Sequence, residues 1–356
     1  MKIKAKARPL SRALRSPDAN LVLDRDKDVR ESGCSVVTVH FNPDDGLIYC
    51  GLTTYTNDLL WTYNPATQEY KSCGYKRIAE PYEVKIHRSL VQLDGCIYGA
   101  TACLHGDQER LEAPGGKLFR YDPRTDEIEV LAVPVKHEYI QSIGIDPKRR
   151  VIYGDSYPLG LLWSYDLTTK EVTDLGRGRV PDGIFCDNDG NIWGTMNRDD
   201  RVFKYNAEDG FTLFDFQMPS FMGRPDSMAE CVHAPDDGMI YIGCSSGAVF
   251  SLDPESMDFK YLGHPLAVLR IHGMIVGRDG LIYGAGGGKG KAENGYFAYD
   301  RESKRFHDLG LIYDPDEDCY NRVAHCLTMT GDGTFFNGET DHPDRAGYLW
   351  EVTIER

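Results

Sequence analysis

No stretch of eighteen consecutive apolar residues occurs in the 356-residue chain, which argues against a helical membrane span. The basic opening Met1-Lys2-Ile3-Lys4-Ala5-Lys6-Ala7-Arg8 has no apolar core behind it and does not read as a secretory signal. The expectation is therefore a cytoplasmic protein with no membrane partner. Positive charge is scarce: 40 Lys and Arg stand against 55 Asp and Glu, a formal net charge of −15. That balance argues against nucleic acid as a partner, and any pull on an anion has to be local. No Cys-x-x-Cys pair exists to support a zinc ribbon. Nor do the 10 cysteines form a clustered disulfide framework; Cys50, Cys96, Cys186, Cys244 and Cys326 fall in strand-like segments, so reduced thiols are expected.

What the chain does have is a recurring phrase. Asp94-Gly95-Cys96-Ile97-Tyr98 is an Asp-Gly turn followed by a β-branched and aromatic strand. It returns at Asp45–Tyr49, Asp189–Trp193, Asp237–Tyr241, Asp279–Tyr283 and Asp332–Phe336, with a degenerate copy at Lys148–Tyr153. A second phrase with a fixed aromatic follows each copy: Leu60-Trp61-Thr62-Tyr63, Leu118-Phe119-Arg120-Tyr121, Leu162-Trp163-Ser164-Tyr165, Val202-Phe203-Lys204-Tyr205, Val249-Phe250-Ser251-Leu252, Tyr296-Phe297-Ala298-Tyr299 and Leu349-Trp350-Glu351-Val352. Repeats of about 40 to 50 residues with several short strands each are the mark of a β-propeller. The expected fold is all-β, a seven-bladed β-propeller of four-stranded antiparallel blades. Residues 1–33 form an N-terminal arm and residues 34–356 a single propeller domain. The last repeat runs out after three strands, so a strand near Asn20–Asp24 is expected to close the ring; a disordered arm is the alternative.

Counting back eleven positions from the aromatic of each first phrase gives Thr38, His87, Ser142, Asp182, Glu230, His272 and His325. All are polar, and strand periodicity would turn equivalent positions the same way, so they are expected to ring one mouth of the channel. Water-satisfying polar residues would explain such a ring without function. The connections at that mouth add His105, Tyr139, Tyr157, Arg198, Arg224, Arg270, Arg322 and His342, and rigidly held loops are where chemistry usually resides. His, Tyr and Arg together suit proton transfer on an anionic, oxygen-rich molecule. In β-elimination from a uronic acid a base removes the proton α to a neutralised carboxylate, while an acid assists the departing oxygen.

Seven repeats, with His87 opening the second and His105 in the loop that follows, resemble the ulvan lyases and rhamnose-glucuronate lyases. That resemblance implies cleavage of a uronate-containing anionic oligosaccharide. His87 and His105 would then serve as base or neutraliser, and Tyr139 or Tyr157 as acid. Arg198 and Arg224 would be the carboxylate partners, with Arg270, Arg322 and His342 as further substrate contacts. Separately, Glu230, His272 and His325 are expected to converge on one divalent ion. Nitrogen and oxygen donors suit Mn²⁺, Zn²⁺ or Fe²⁺ better than Ca²⁺, which stays a candidate; no nucleotide or organic cofactor is expected. The segment Val180–Trp193 resembles the gluconolactonase and regucalcin propellers, which implies a metal-dependent sugar lactonase as the alternative. A non-catalytic carbohydrate- or protein-binding propeller is the other.

Overall fold

The computed structural model describes residues 1–13, 33–103, 111–196, 200–267, 269–287 and 294–355. Its regular structure is almost wholly β, with strands paired antiparallel. Among the described residues no helix is long and apolar enough to cross a membrane. The chain divides into two compact units, Met1–Ser72 with Ala229–Arg356, and Cys73–Met228.

In the first unit, Cys34–Asn42, Leu47–Thr54, Leu60–Asn64 and Glu69–Ser72 run as one meander. Two more sheets follow the same plan, Met228–His233 to Phe259–Gly263 and Ile271–Val276 to Arg305–Leu311. In the last sheet Ala324–Met329, Phe335–Glu339 and Leu349–Glu355 are joined by Lys2–Arg8, which pairs with Leu349–Glu355 from Lys2↔Glu355 to Arg8↔Leu349. Asn20–Asp24, the strand expected there, lies outside the described residues; the place is taken by Lys2–Arg8. Its Ala5 and Ala7 are buried while Lys2 and Lys4 are exposed, and a lysine-studded edge discourages further strand pairing.

The second unit holds the sheets Leu90–Leu93 to Glu127–Ala132 and Tyr139–Asp146 to Val172–Arg179. A third comprises Ile192–Met196, Arg201–Asn206 and Gly210–Gln217, with Cys186 bridged to Ile192 at its start.

Both repeated phrases have a physical reading. In the turn, glycine supplies the left-handed residue, as at Gly46 with φ 74°. The aspartate then accepts twice: Asp45 takes the Leu47 N–H at 3.0 Å and the Tyr49 hydroxyl at 2.7 Å. Asp237 does the same with Met239 and Tyr241, and Asp279 with Leu281 and Tyr283. Asp-Gly-x-x-Tyr is thus one closed hydrogen-bonded unit.

The glycine after the aromatic makes room for the second phrase. A Cβ added at Gly154 would stand 2.1 Å from the Trp163 ring, and at Gly99 or Gly284 it would stand 2.3 Å from Phe119 or Phe297. Those rings are fully buried, so these three sheets are each keyed by an aromatic lying over a glycine. Gly154→Ala is expected to cost about 1–3 kcal/mol, the range for overpacking a filled core. Gly331→Ala, where the added atom meets nothing within 4 Å, is expected to stay within about 0.5 kcal/mol of the parent. Denaturant midpoints of the two variants check both.

Candidate functional site

The first strands of four sheets are interrupted by a bulge. In Cys34–Asn42 the register slips between Val36 and Thr38, and in Tyr139–Asp146 between Ile140 and Ser142, leaving Val37 and Gln141 as the extra residues. In Ile271–Val276 and Ala324–Met329 the extra residues are His272 and His325 themselves. Ahead of Leu90–Leu93 the break is wider. Lys85 faces Ala102 and Leu90 faces Gly99, so the segment Ile86–Ser89 opposes only Ala100 and Thr101, with Arg88 at φ 42°. Bulges re-aim side chains and are common beside functional sites.

A bulged residue leaves its carbonyl outside the ladder, and two such carbonyls receive a histidine from the neighbouring sheet. In the second unit His87 Nδ1–H donates to the Gln141 carbonyl at 2.7 Å; in the first, His325 Nδ1–H donates to the Val37 carbonyl at 2.6 Å. A carbonyl can only accept, so the Nδ1 of both rings carries the proton and Nε2 holds the lone pair in the neutral ring. His272 is set the other way round, with Nε2 on the Gly287 carbonyl at 3.2 Å.

These bulges correct the eleven-step ring. The hairpin closed by Asn42↔Leu47 encloses four residues and that closed by Met329↔Phe335 encloses five. One offset therefore lands on the bulged residue at His272 and His325 but on the residue after it at Thr38 and Ser142. Neighbouring residues of a strand face opposite sides, so these positions are not equivalent. The expected metal set is corrected too. Among the described residues no group of three or more His, Cys, Asp or Glu could hold a metal ion, so Glu230, His272 and His325 do not converge. The bulges turn both rings onto backbone carbonyls instead.

Around His87 the second unit gathers further groups. Tyr139 and Tyr157 are opposite each other across their hairpin, ring centroids 4.9 Å apart, and Tyr157 is 49% exposed. Asp155, two pairs further in, accepts the Ser142 N–H at 3.0 Å and the Ser142 hydroxyl at 2.9 Å. Withdrawal of this carboxyl from water raises its pKa to about 7, against the pull of the two Ser142 donors. A cavity lined by Tyr82, Glu83, Thr101, Cys103, His137 and Tyr139 measures about 10 Å³, space for about one water. Glu83 on its wall is structural, held by Lys117 at 2.9 Å and by the hydroxyls of Tyr75 and Thr101 at 2.7 Å. His105 and Arg198 lie outside the described residues.

The remaining cationic candidates are divided between the two units. Arg224 is exposed on the small hairpin Ser220–Phe221 with Arg224–Pro225, in the second unit. Arg270 precedes its bulge at φ 71°. Arg322 and His342 do share one neighbourhood, in the first unit. His342 Nδ1 accepts the N–H groups of Asp344 and Arg345 at 3.2 Å, so its neutral ring carries the proton on Nε2. Burial and then the Arg345 charge hold its pKa below the usual histidine value, with Arg322 adding to the effect.

Beside them Glu339, fully buried, is clasped by Arg345 at 2.7 and 3.0 Å and by Trp350 Nε1–H at 3.0 Å. Neither Asp155 nor Glu339 is singled out by the eleven-step offset, yet a signal exists. Two places after the aromatic of the first phrase stand Gly51, Ala100, Asp155, Thr195, Gly243, Ala285 and Gly338, and Asp155 is the one acid among them; Glu339 stands one place further on in its strand.

Residues 89–229 match the family described as SMP-30/Gluconolactonase/LRE-like region. No curated protein sequence matches the chain. Among solved structures, a streptogramin B lyase superposes with a TM-score of 0.67 at 12% identity, over 100% of this chain and 99% of that one. The virginiamycin B lyase of Staphylococcus aureus gives 0.63 at 12% identity, over 99% of each. The extracellular domain of a protein described as a hybrid two-component system of B. thetaiotaomicron gives 0.62 at 14%, covering 88% of this chain but 38% of that one. The chain thus spans well under half the length of that structure.

These likenesses define the class as an all-β, propeller-like fold. Kinship with ulvan or rhamnose-glucuronate lyases gains no support from them. In long-range ¹H–¹⁵N spectra of the neutral protein, His87 and His325 are expected to show the Nδ1–H tautomer and His342 the Nε2–H tautomer. The reverse pattern at His87 would remove the basis for its role.

Proposed function

We propose that the chain is an enzyme that opens the ring ester of a sugar-derived lactone, with His87 as the proton acceptor. One observation carries this reading: Nδ1–H of His87 is fixed on the Gln141 carbonyl, which reserves Nε2 for a proton. The surrounding unit, Cys73–Met228, spans nearly all of residues 89–229, where the likeness to the gluconolactonase-type region lies. His87 Nε2 takes a proton from water as the oxygen attacks the lactone carbonyl carbon. The tetrahedral oxyanion then collapses, the ring C–O bond breaks, and the departing alkoxide takes a proton from the His87 imidazolium or the Tyr157 phenol. A positioned general base contributes about 10²–10⁴-fold.

Gluconolactonase-type propellers imply a divalent cation. Among the described residues no group of three or more His, Cys, Asp or Glu could hold one, and no step is routed through it. The seven repeats are taken to complete a seven-bladed propeller, a reading supported by their recurrence along the whole chain and by the end-to-end overlap with the two lyase structures.

A second reading keeps β-elimination on a uronate-containing anionic oligosaccharide. It is favoured by the paired phenols of Tyr139 and Tyr157, one of them exposed. His87 would then take the proton α to the carboxylate, and a phenol would protonate the departing oxygen.

Mass spectrometry separates the two on a panel of aldonolactones, macrocyclic lactones and uronate oligosaccharides. Hydrolytic opening adds one water to a lactone, whereas elimination leaves an unsaturated uronate end. His87→Gln is expected to lower kcat/KM about 10²–10⁴-fold with the fold kept. No lactone opened above the spontaneous rate, or a fully active His87→Gln, would reject the proposal.

A further inference from the structure

We infer that Asp155 sets the orientation and basicity of His87 through the single peptide group that joins Gln141 to Ser142, as a positioning residue. The inference rests on His87 being the proton acceptor. The contacts form one unbroken line. His87 Nδ1–H donates to the Gln141 carbonyl at 2.7 Å. The N–H of that same peptide belongs to Ser142 and donates to Asp155 Oδ1 at 3.0 Å. The Ser142 hydroxyl donates to the same oxygen at 2.9 Å and fixes the carboxyl in place.

A peptide group polarises along its own axis. An anion drawing on its N–H pushes electron density onto its carbonyl oxygen, which then holds a neighbouring N–H more tightly. In its ionised form, which its pKa of about 7 makes the major one only above neutrality, the carboxyl stabilises the His87 imidazolium from a distance, as a direct carboxylate partner does for a histidine base. The bulge at Gln141 makes this possible, since it frees the carbonyl on one side of the peptide while the N–H still faces Asp155.

The molecule holds its own control. His325 donates to the Val37 carbonyl at 2.6 Å by the same device. There the peptide N–H belongs to Thr38, whose cross-strand partner is Gly51, where Ser142 has Asp155. The lock is repeated; the acid is not.

Other charges near the line are few. Lys85 and Arg88 flank His87 on its own segment, and Glu138, Tyr139 and Tyr157 stand at the end of the Asp155 hairpin. The Asp155 carboxyl itself is raised by burial and drawn down by the two Ser142 donors and its own N–H.

The test is an NMR titration of the imidazole rings in the full chain, which needs no substrate and so stands apart from the lactonase reading. Asp155→Asn and Asp155→Ala are expected to lower the His87 pKa by about half a unit to one unit, with His325 unmoved. Ser142→Ala keeps the peptide N–H and is expected to leave His87 near the parent value, and Asp155→Glu to restore part of the loss. Coupling is reciprocal, so His87→Gln should raise the pKa of the Asp155 carboxyl, read by its ¹³C shift. Where lactone opening is measured, the acid limb of kcat/KM should follow the His87 pKa. An unchanged His87 in Asp155→Asn, His325 shifting in step with it, or an Asp155 carboxyl indifferent to His87→Gln would each overturn the inference.

Discussion

A backbone carbonyl forced out of a β-ladder has to find another donor, because a buried acceptor left unmet costs about 1–3 kcal/mol. In both units the donor is a histidine from the sheet alongside. That requirement links the levels of the molecule. An extra residue in one strand exposes a carbonyl, the carbonyl selects the Nδ1–H tautomer of a ring on the next strand, and the tautomer leaves a basic nitrogen on the other side. The chemistry ascribed to His87 is a by-product of how its sheet is satisfied.

The scaffold that holds these bulges in place is stiff for reasons spelled out residue by residue. Aromatic rings keyed over glycines fix the second and third strands of a sheet, and the Asp-Gly-x-x-Tyr unit fixes the first turn. Two buried ionic clasps hold the connections at the other ends, Lys117 on Glu83 in one unit and Arg345 on Glu339 in the other. Each carboxylate accepts from several further donors, the condition under which a buried charge is tolerable. A variant that removes one partner leaves the other stranded, so these clasps order the loops more firmly than their surface-exposed counterparts could.

Much of the sheet architecture was readable because period-2 strands, turn residues and a recurrent aromatic are local features. The antiparallel meanders and the sheet-keying role of the aromatics follow directly from them. What resisted reading was the register at the start of each first strand. A bulge shifts facing by one residue, and nothing in Val36-Val37-Thr38 or Ile140-Gln141-Ser142 announces it. A fixed offset from the aromatic therefore mixed bulged positions with their neighbours. It still reached His87, His272 and His325, all of which lie in strand irregularities, but it suggested a convergence on metal that the geometry does not make. Asp155 was legible only by comparing repeats, since its partner is a peptide group and no motif marks that.

The pairing of Lys2–Arg8 with Leu349–Glu355 also constrains the order of assembly. Lys2–Arg8 lies more than 300 residues before its partner in the sequence, so Ile3, Ala5 and Ala7 stay without a sheet until Leu349–Glu355 has been made. Closure over so long a loop is entropically slow. Refolding should therefore pass through a species whose terminal sheet is three-stranded, with a raw edge open to chaperones or to a second molecule.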